Sequence, residues 1–123
     1  MLWFNRFCFW KPVKYLELAI TDFCNLKCRL CAQGIPLQKD KKEMSFDEFE
    51  RISKIFKPYE FDVIKISGGE PTLHSQFQKI CENIKELFPA YFYKLATNGC
   101  LLEKYIDNIR IFDQIDLSNY PGK

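Results

Sequence analysis

The chain has 123 residues, with 18 Lys and Arg against 16 Asp and Glu, a formal charge of +2 at neutral pH. That near-balance excludes a nucleic-acid binder working by bulk basicity, and equally an acidic solvating tail. At 47% apolar and 28% charged residues, the composition is that of an ordinary folded globule, and the 16% aromatic share can fill a core.

The opening stretch MLWFNRFCFW, residues 1–10, is apolar but broken by Asn5 and Arg6. No stretch reaches the roughly 18 unbroken apolar residues of a membrane span. The opening also lacks a basic start and a small-residue cleavage site, so no signal peptide and no membrane partner are expected. The expected location is the cytoplasm. There the six cysteines read as reduced thiols, for which metal binding is favoured over disulfides. The aromatic extension, residues 1–14, is expected to pack across the underside or open edge of the following domain.

From residue 15 the chain alternates apolar strand, unusual loop and amphipathic helix. The first strand is YLELAI at 15–20, feeding into Thr21, Asp22, Phe23 and Cys24. Residues 34–43, with the charge run KDKK at 39–42, read as an exposed loop. Ser45 and Glu48 have capping-box spacing, and Phe46, Phe49, Ile52, Ile55 and Phe56 follow at helical intervals until Pro58. The second strand, FDVIKI at 61–66, ends in SGGEP at 67–71. His74 reads as a surface or helix-entry residue. Phe77, Ile80, Cys81, Ile84, Leu87 and Phe88 form the next helical stripe, stopped by Pro89. The third strand, YFYKLA at 91–96, ends in Thr97, Asn98 and Gly99. Leu101, Leu102, Tyr105, Ile106 and Ile109 read as a shorter helix, and residues 111–117 as a fourth, weaker strand closed by Ser118. Alternation of this kind predicts right-handed crossovers and a parallel sheet. It also gathers every strand-to-helix loop at the C-terminal strand edge, where such sheets bind ligands.

Cys24, Cys28 and Cys31 are spaced C-x3-C-x2-C. Three thiolates so close in sequence can converge on one soft metal centre: zinc, copper(I) or an iron–sulfur cluster. A structural zinc site needs a fourth protein ligand, for which Cys8, Cys81, Cys100 and His74 remain, none of them in a second C-x2-C pair. A cluster held by three cysteines instead leaves one iron open to an outside ligand. Cys81 lies in an apolar helical stripe and reads as core.

The cysteine loop after one strand, Gly68-Gly69-Glu70-Pro71 after the next and Thr97-Asn98-Gly99 after the third resemble the radical S-adenosylmethionine (SAM) superfamily in order, spacing and placement. The resemblance implies an α/β fold, a partial (β/α) barrel of the radical SAM type cut to about four parallel strands with helices outside. It implies that Cys24, Cys28 and Cys31 ligate a [4Fe–4S] cluster whose open iron is chelated by SAM. Gly68 and Gly69 would pass close to SAM, with Glu70 beside its amino group. Thr97 and Asn98 would line the cofactor or substrate, and Ser118 would contact the SAM ribose or carboxylate. The reaction implied is reductive cleavage of SAM to a 5′-deoxyadenosyl radical, which abstracts hydrogen from an unspecified substrate. The electron would come from an external one-electron reductant of the flavodoxin or ferredoxin type. Leu30 departs from the family's usual aromatic before the third cysteine and weakens the adenine pocket.

A six-unit partial barrel needs about 190 residues, at roughly 30 per strand–helix unit. With four strands, residues 15–123 are expected to be a radical SAM core incomplete at its C-terminus, either the N-terminal part of a longer enzyme or a truncated gene product. The competing expectation is a non-catalytic zinc module.

Overall fold

The computed structural model of the chain describes residues 12–26 and 39–118. Four strands, β1 (Tyr15–Ala19), β2 (Phe61–Ser67), β3 (Ala90–Thr97) and β4 (Gln114–Leu117), form one sheet in the order β1-β2-β3-β4. All three pairings are parallel, with Leu18 opposite Ile66, Ile66 opposite Leu95, and Leu95 opposite Ile115. Helices α1 (Phe46–Phe56) and α2 (Phe77–Leu87) follow β1 and β2. The expected α/β architecture of about four parallel strands is therefore present.

Local chemistry starts and stops these elements where the sequence predicts. Ser45 Oγ accepts from the Glu48 amide while Glu48 returns a carboxylate oxygen to the Ser45 amide, satisfying donors that the first helical turn leaves free. Pro58 and Pro89 follow the helix ends, where their missing N–H and fixed φ oppose further turns.

Strand side chains alternate between faces, so Leu18, Ile64, Ile66, Tyr93 and Leu95 point to the helices. They pack with Phe49, Phe77, Ile80 and Ile84 into one core. The Phe49 and Phe88 rings meet edge-on with centroids 4.9 Å apart, tying α1 to the end of α2. The opposite face carries an apolar row, Tyr15, Val63 and Phe92, below a charged one. Glu17 lies beside Lys65 and Lys65 beside Lys94, and both lysines reach Asp116, at 3.9 and 3.5 Å. A hydrogen bond from Gln114 and the two lysines together hold the Asp116 carboxyl below its usual range, against the opposing effect of burial.

Three expectations need correction. The third helix is absent, replaced by two 3₁₀ turns, Leu102–Tyr105 and Ile109–Ile111. The apolar positions Leu102, Tyr105, Ile109 and Phe112 include two pairs three apart, which suits three residues per turn, and the stretch is too short to sustain an α-helix. The fourth strand accordingly starts at Gln114 rather than 111, because Ile111 and Phe112 complete the turn and pack on the core. Of the two places expected for His74, it takes the helix entry and not the surface. Its ring is buried at the entry to α2, where Nδ1 accepts from the Gln76 amide, which leaves Nε2 to donate to the Met44 carbonyl at 2.6 Å. Both nitrogens being engaged, His74 is no fourth zinc ligand.

The end of the expected exposed loop is also tied down. Glu43 forms an antiparallel bridge with Thr21, and the Asp22 amide donates to the Lys42 carbonyl. Residues 1–11, most of the aromatic extension and Cys8 among them, lie outside the described residues, as do Cys28, Leu30 and Cys31. Among the described residues, no helix is long and apolar enough to cross a membrane.

Two outcomes follow from the core. Phe49→Ala, at a fully buried position, should cost about 3–5 kcal/mol in urea unfolding. Burial pushes the Cys81 thiol up to about 12, with Glu82 adding to it, so this thiol is protonated at pH 8 in the folded chain. Iodoacetamide at pH 8 should label the exposed Cys100 and spare Cys81 until the chain unfolds. Because folding raises this pKa, its contribution to stability is intact below the ordinary thiol value of 9.0 and is lost as pH climbs toward 12.

Candidate functional site

The C-terminal ends of β1, β2 and β3 carry the three motif loops, and backbone hydrogen bonds join the first two. The Gly69 amide donates to the Thr21 carbonyl at 2.6 Å, and the Glu70 amide to the Phe23 carbonyl at 2.7 Å. This contact explains both glycines. Gly68 has φ +140°, and a Cβ there would stand 2.4 Å from the Thr21 carbonyl oxygen; a Cβ on Gly69 would stand 2.3 Å from that of Phe23. The close approach expected toward a ligand is, in the described structure, an approach to the cysteine loop itself.

Glu70 joins the second loop to the third. Its side chain is only 1% exposed. Oε1 accepts from the Thr72 amide at 3.3 Å, the Thr72 hydroxyl at 2.6 Å and the Thr97 hydroxyl at 2.5 Å, while Oε2 accepts from the Asn98 amide at 2.6 Å. A buried carboxylate is tolerated only with such donors. Here all four come from the protein. The Glu70 carboxylate, expected beside a ligand's amino group, fixes the two loops to each other.

Asn98 carries the connection back to the first loop. Its Oδ1 accepts from the Cys100 amide at 3.0 Å, which orients the NH₂ end toward Asn25 Oδ1, 2.8 Å away. The same Nδ2 lies 4.0 Å from Cys24 Sγ, and the Leu26 amide donates to that sulfur at 3.5 Å. Cys24 is half-buried, so its sulfur faces N–H donors at a loop edge, a setting suited to thiolate ligation. Ser118 continues the ladder beyond β4, its amide donating to the Thr97 carbonyl at 2.8 Å.

The structure thus gathers Cys24, Gly68, Gly69, Glu70, Thr97, Asn98 and Ser118 at one sheet edge. Motif reading missed Thr72, Asn25 and Ser67. Thr72 bonds Glu70 two residues before it, whereas nothing local reveals that Asn25 serves Asn98 in a distant loop. Ser67 Oγ is the one buried side-chain polar atom among the described residues without a hydrogen-bond partner. It lies at the last position of β2, on the strand face shared with Lys65.

The sequence matches the model of the radical SAM superfamily over residues 18–118. The chain belongs to the radical SAM superfamily. Its family is one of enzymes, and the family's cofactors are a [4Fe–4S] cluster and SAM. Among curated proteins, the chain is 40% identical over 100 residues to a probable GTP 3′,8-cyclase of Methanococcus maripaludis, covering 81% of this chain and 33% of that one. It is 31% identical over 104 residues to the molybdenum cofactor biosynthesis protein moc-5 of Caenorhabditis elegans, covering 83% and 17%. The chain therefore spans about a third or less of these relatives' lengths. Among solved structures, BtrN in complex with AdoMet and 2-DOIA superposes with a TM-score of 0.75 at 20% identity, covering 92% of this chain and 48% of that one. At that identity the likeness is one of fold, and it establishes the radical SAM type of partial barrel.

The described part of this radical SAM edge fits the family's cofactors in two respects: a cysteine sulfur facing N–H donors, and an unpartnered buried hydroxyl at the end of the neighbouring strand. Glu70→Gln replaces one acceptor oxygen with an NH₂ that must confront a donor. It should cost about 1–3 kcal/mol in denaturant unfolding. Hydrogen exchange at the Asn98 amide should accelerate with it, whereas exchange in the middle of α2 should follow only the global change.

Proposed function

We propose that this chain is the cluster- and SAM-binding part of a radical SAM enzyme, with Cys24, Cys28 and Cys31 as the cluster ligands. The observation that carries the reading is the joining of the cysteine, GGEP and TNG loops through Gly69, Glu70 and Asn98. Three motifs separated by two helices are held at one edge by bonds that run from each to the next. When bound, the cofactors supply one-electron cleavage of the SAM sulfonium and a carbon radical that abstracts hydrogen from the substrate.

The chain's own residues act by holding and orienting. Leu26 N–H and the Asn98 side-chain NH₂ point toward the Cys24 sulfur, and such donors stabilise thiolate charge. Gly68 and Gly69 keep the second loop flush against the first, which sets the width of the space that SAM must fill. Ser67 offers a hydroxyl to a polar group of SAM, and Asn98 and Ser118 flank the same space. Glu70 acts through its neighbours rather than on the ligand. The electron comes from an external one-electron reductant of the flavodoxin or ferredoxin type, in the reducing cytoplasm where free thiols persist.

The substrate lies toward the sheet face not covered by the helices, where Lys65, Lys94 and Asp116 form an ionic layer. That face suits a polar substrate, and GTP, named in the cyclase relatives, has this character.

Anaerobic reconstitution with iron and sulfide tests the reading. The wild-type chain should take up about four irons and change its visible spectrum on adding SAM. Cys24→Ala, Cys28→Ala and Cys31→Ala should each lose most of that iron. Zinc bound in place of iron, or a Cys28→Ala chain with the full iron content, would overturn the ligand assignment.

A further inference from the structure

The opposite end of the sheet carries a second feature, unconnected with the three loops. An apolar groove of about 650 Å³ runs between the C-terminal ends of α1 and α2 and the first residues of β2 and β3. Phe56, Tyr59 and Phe61 stack along one wall, with ring centroids 5.7 to 6.4 Å apart. Pro89, Ala90 and Tyr91 form the other. Tyr59 is 61% exposed and Tyr91 86%. Aromatic side chains collected around a groove yet left so open to water mark a docking surface.

The sequence supplies an occupant at the right place. Before Pro12 stand eleven residues, among them Trp3, Phe4, Phe7, Phe9 and Trp10. The chain enters the sheet at Lys14, whose amide donates to Asp62 Oδ2 at 2.8 Å and whose carbonyl accepts from the Asp62 amide at 2.8 Å. Asp62 adjoins Phe61, so the entry point is one strand spacing, about 5 Å, from the groove wall. At about 3.5 Å per extended residue, eleven residues have ample length to cross it. Charge agrees: the segment carries Arg6 and Lys11, and Glu50, Glu60 and Glu86 border the groove, partly offset by Lys54 and Lys57.

We propose that residues 1–11 dock in this groove of their own chain. The docking stands apart from the proposed cofactor chemistry, since groove and motif loops occupy opposite ends of the strands. Its failure would leave the cluster assignment untouched, and the reverse also holds.

The chain's two tryptophans, Trp3 and Trp10, both lie in this segment, so tryptophan emission reads its surroundings directly. Emission of the native full-length chain should be blue-shifted from that of tryptophan in water, shielded from iodide, and independent of protein concentration. Tyr59→Glu/Tyr91→Glu, at two exposed positions, should shift it to the red and raise iodide quenching several-fold, with far-UV circular dichroism unchanged. Lys94→Gln, on the far sheet face, should leave it as in wild type. Water-like emission in the native chain, or a blue shift indifferent to the double substitution, would overturn the proposal. So would a blue shift that follows dimer mass in light scattering, which assigns the groove to a second copy, or one seen only with anionic phosphatidylglycerol vesicles, which assigns the segment to a membrane surface.

Discussion

One buried carboxylate organises the site end of this protein. A charged Glu70 away from water is tolerable only because four donors meet it, and they come from two loops that share no local sequence. The stabilisation is therefore cooperative. Withdrawing Thr97 and Asn98 would leave a charge under-satisfied in the interior, so the second and third loops hold their relative positions or both lose them. The first loop joins through backbone bonds to Gly69 and Glu70, and Asn98 closes the circuit at Asn25.

This arrangement explains how a sheet of four short strands can present a defined edge. Parallel strands fix where loops leave but not where they go. Directional bonds to a shared acceptor, and contacts too tight for any Cβ at Gly68 and Gly69, supply the missing restraint. The far edge is built on other physics. Packing there leaves an aromatic-walled groove bordered by charged side chains, while ionic pairs across β2, β3 and β4 make part of one sheet face polar. Three surfaces of one small sheet thus carry three kinds of chemistry.

The long periodic elements were legible in the sequence because their causes are local. The capping box at Ser45, the stops at Pro58 and Pro89, and the alternation in β2 and β3 all act within a few residues. The segment after Gly99 misled because three-residue and four-residue apolar spacings overlap in a short window, and only the position of the core selects between them. His74 misled for a related reason. A lone histidine carries no local sign of burial, and the acceptor that keeps its Nε2 inside, the Met44 carbonyl, lies thirty residues away.

The sequence alone determined the parallel α/β alternation, the edge at which the motif loops gather, and the family to which their spacing belongs, since each depends on residue type and local order. Only the tertiary structure decided what Glu70 does, why Gly68 and Gly69 must be glycine, and that Ser67 carries an unpartnered hydroxyl. Those facts depend on atoms brought together from distant parts of the chain, and spacing along a sequence does not encode the direction in which a side chain meets them.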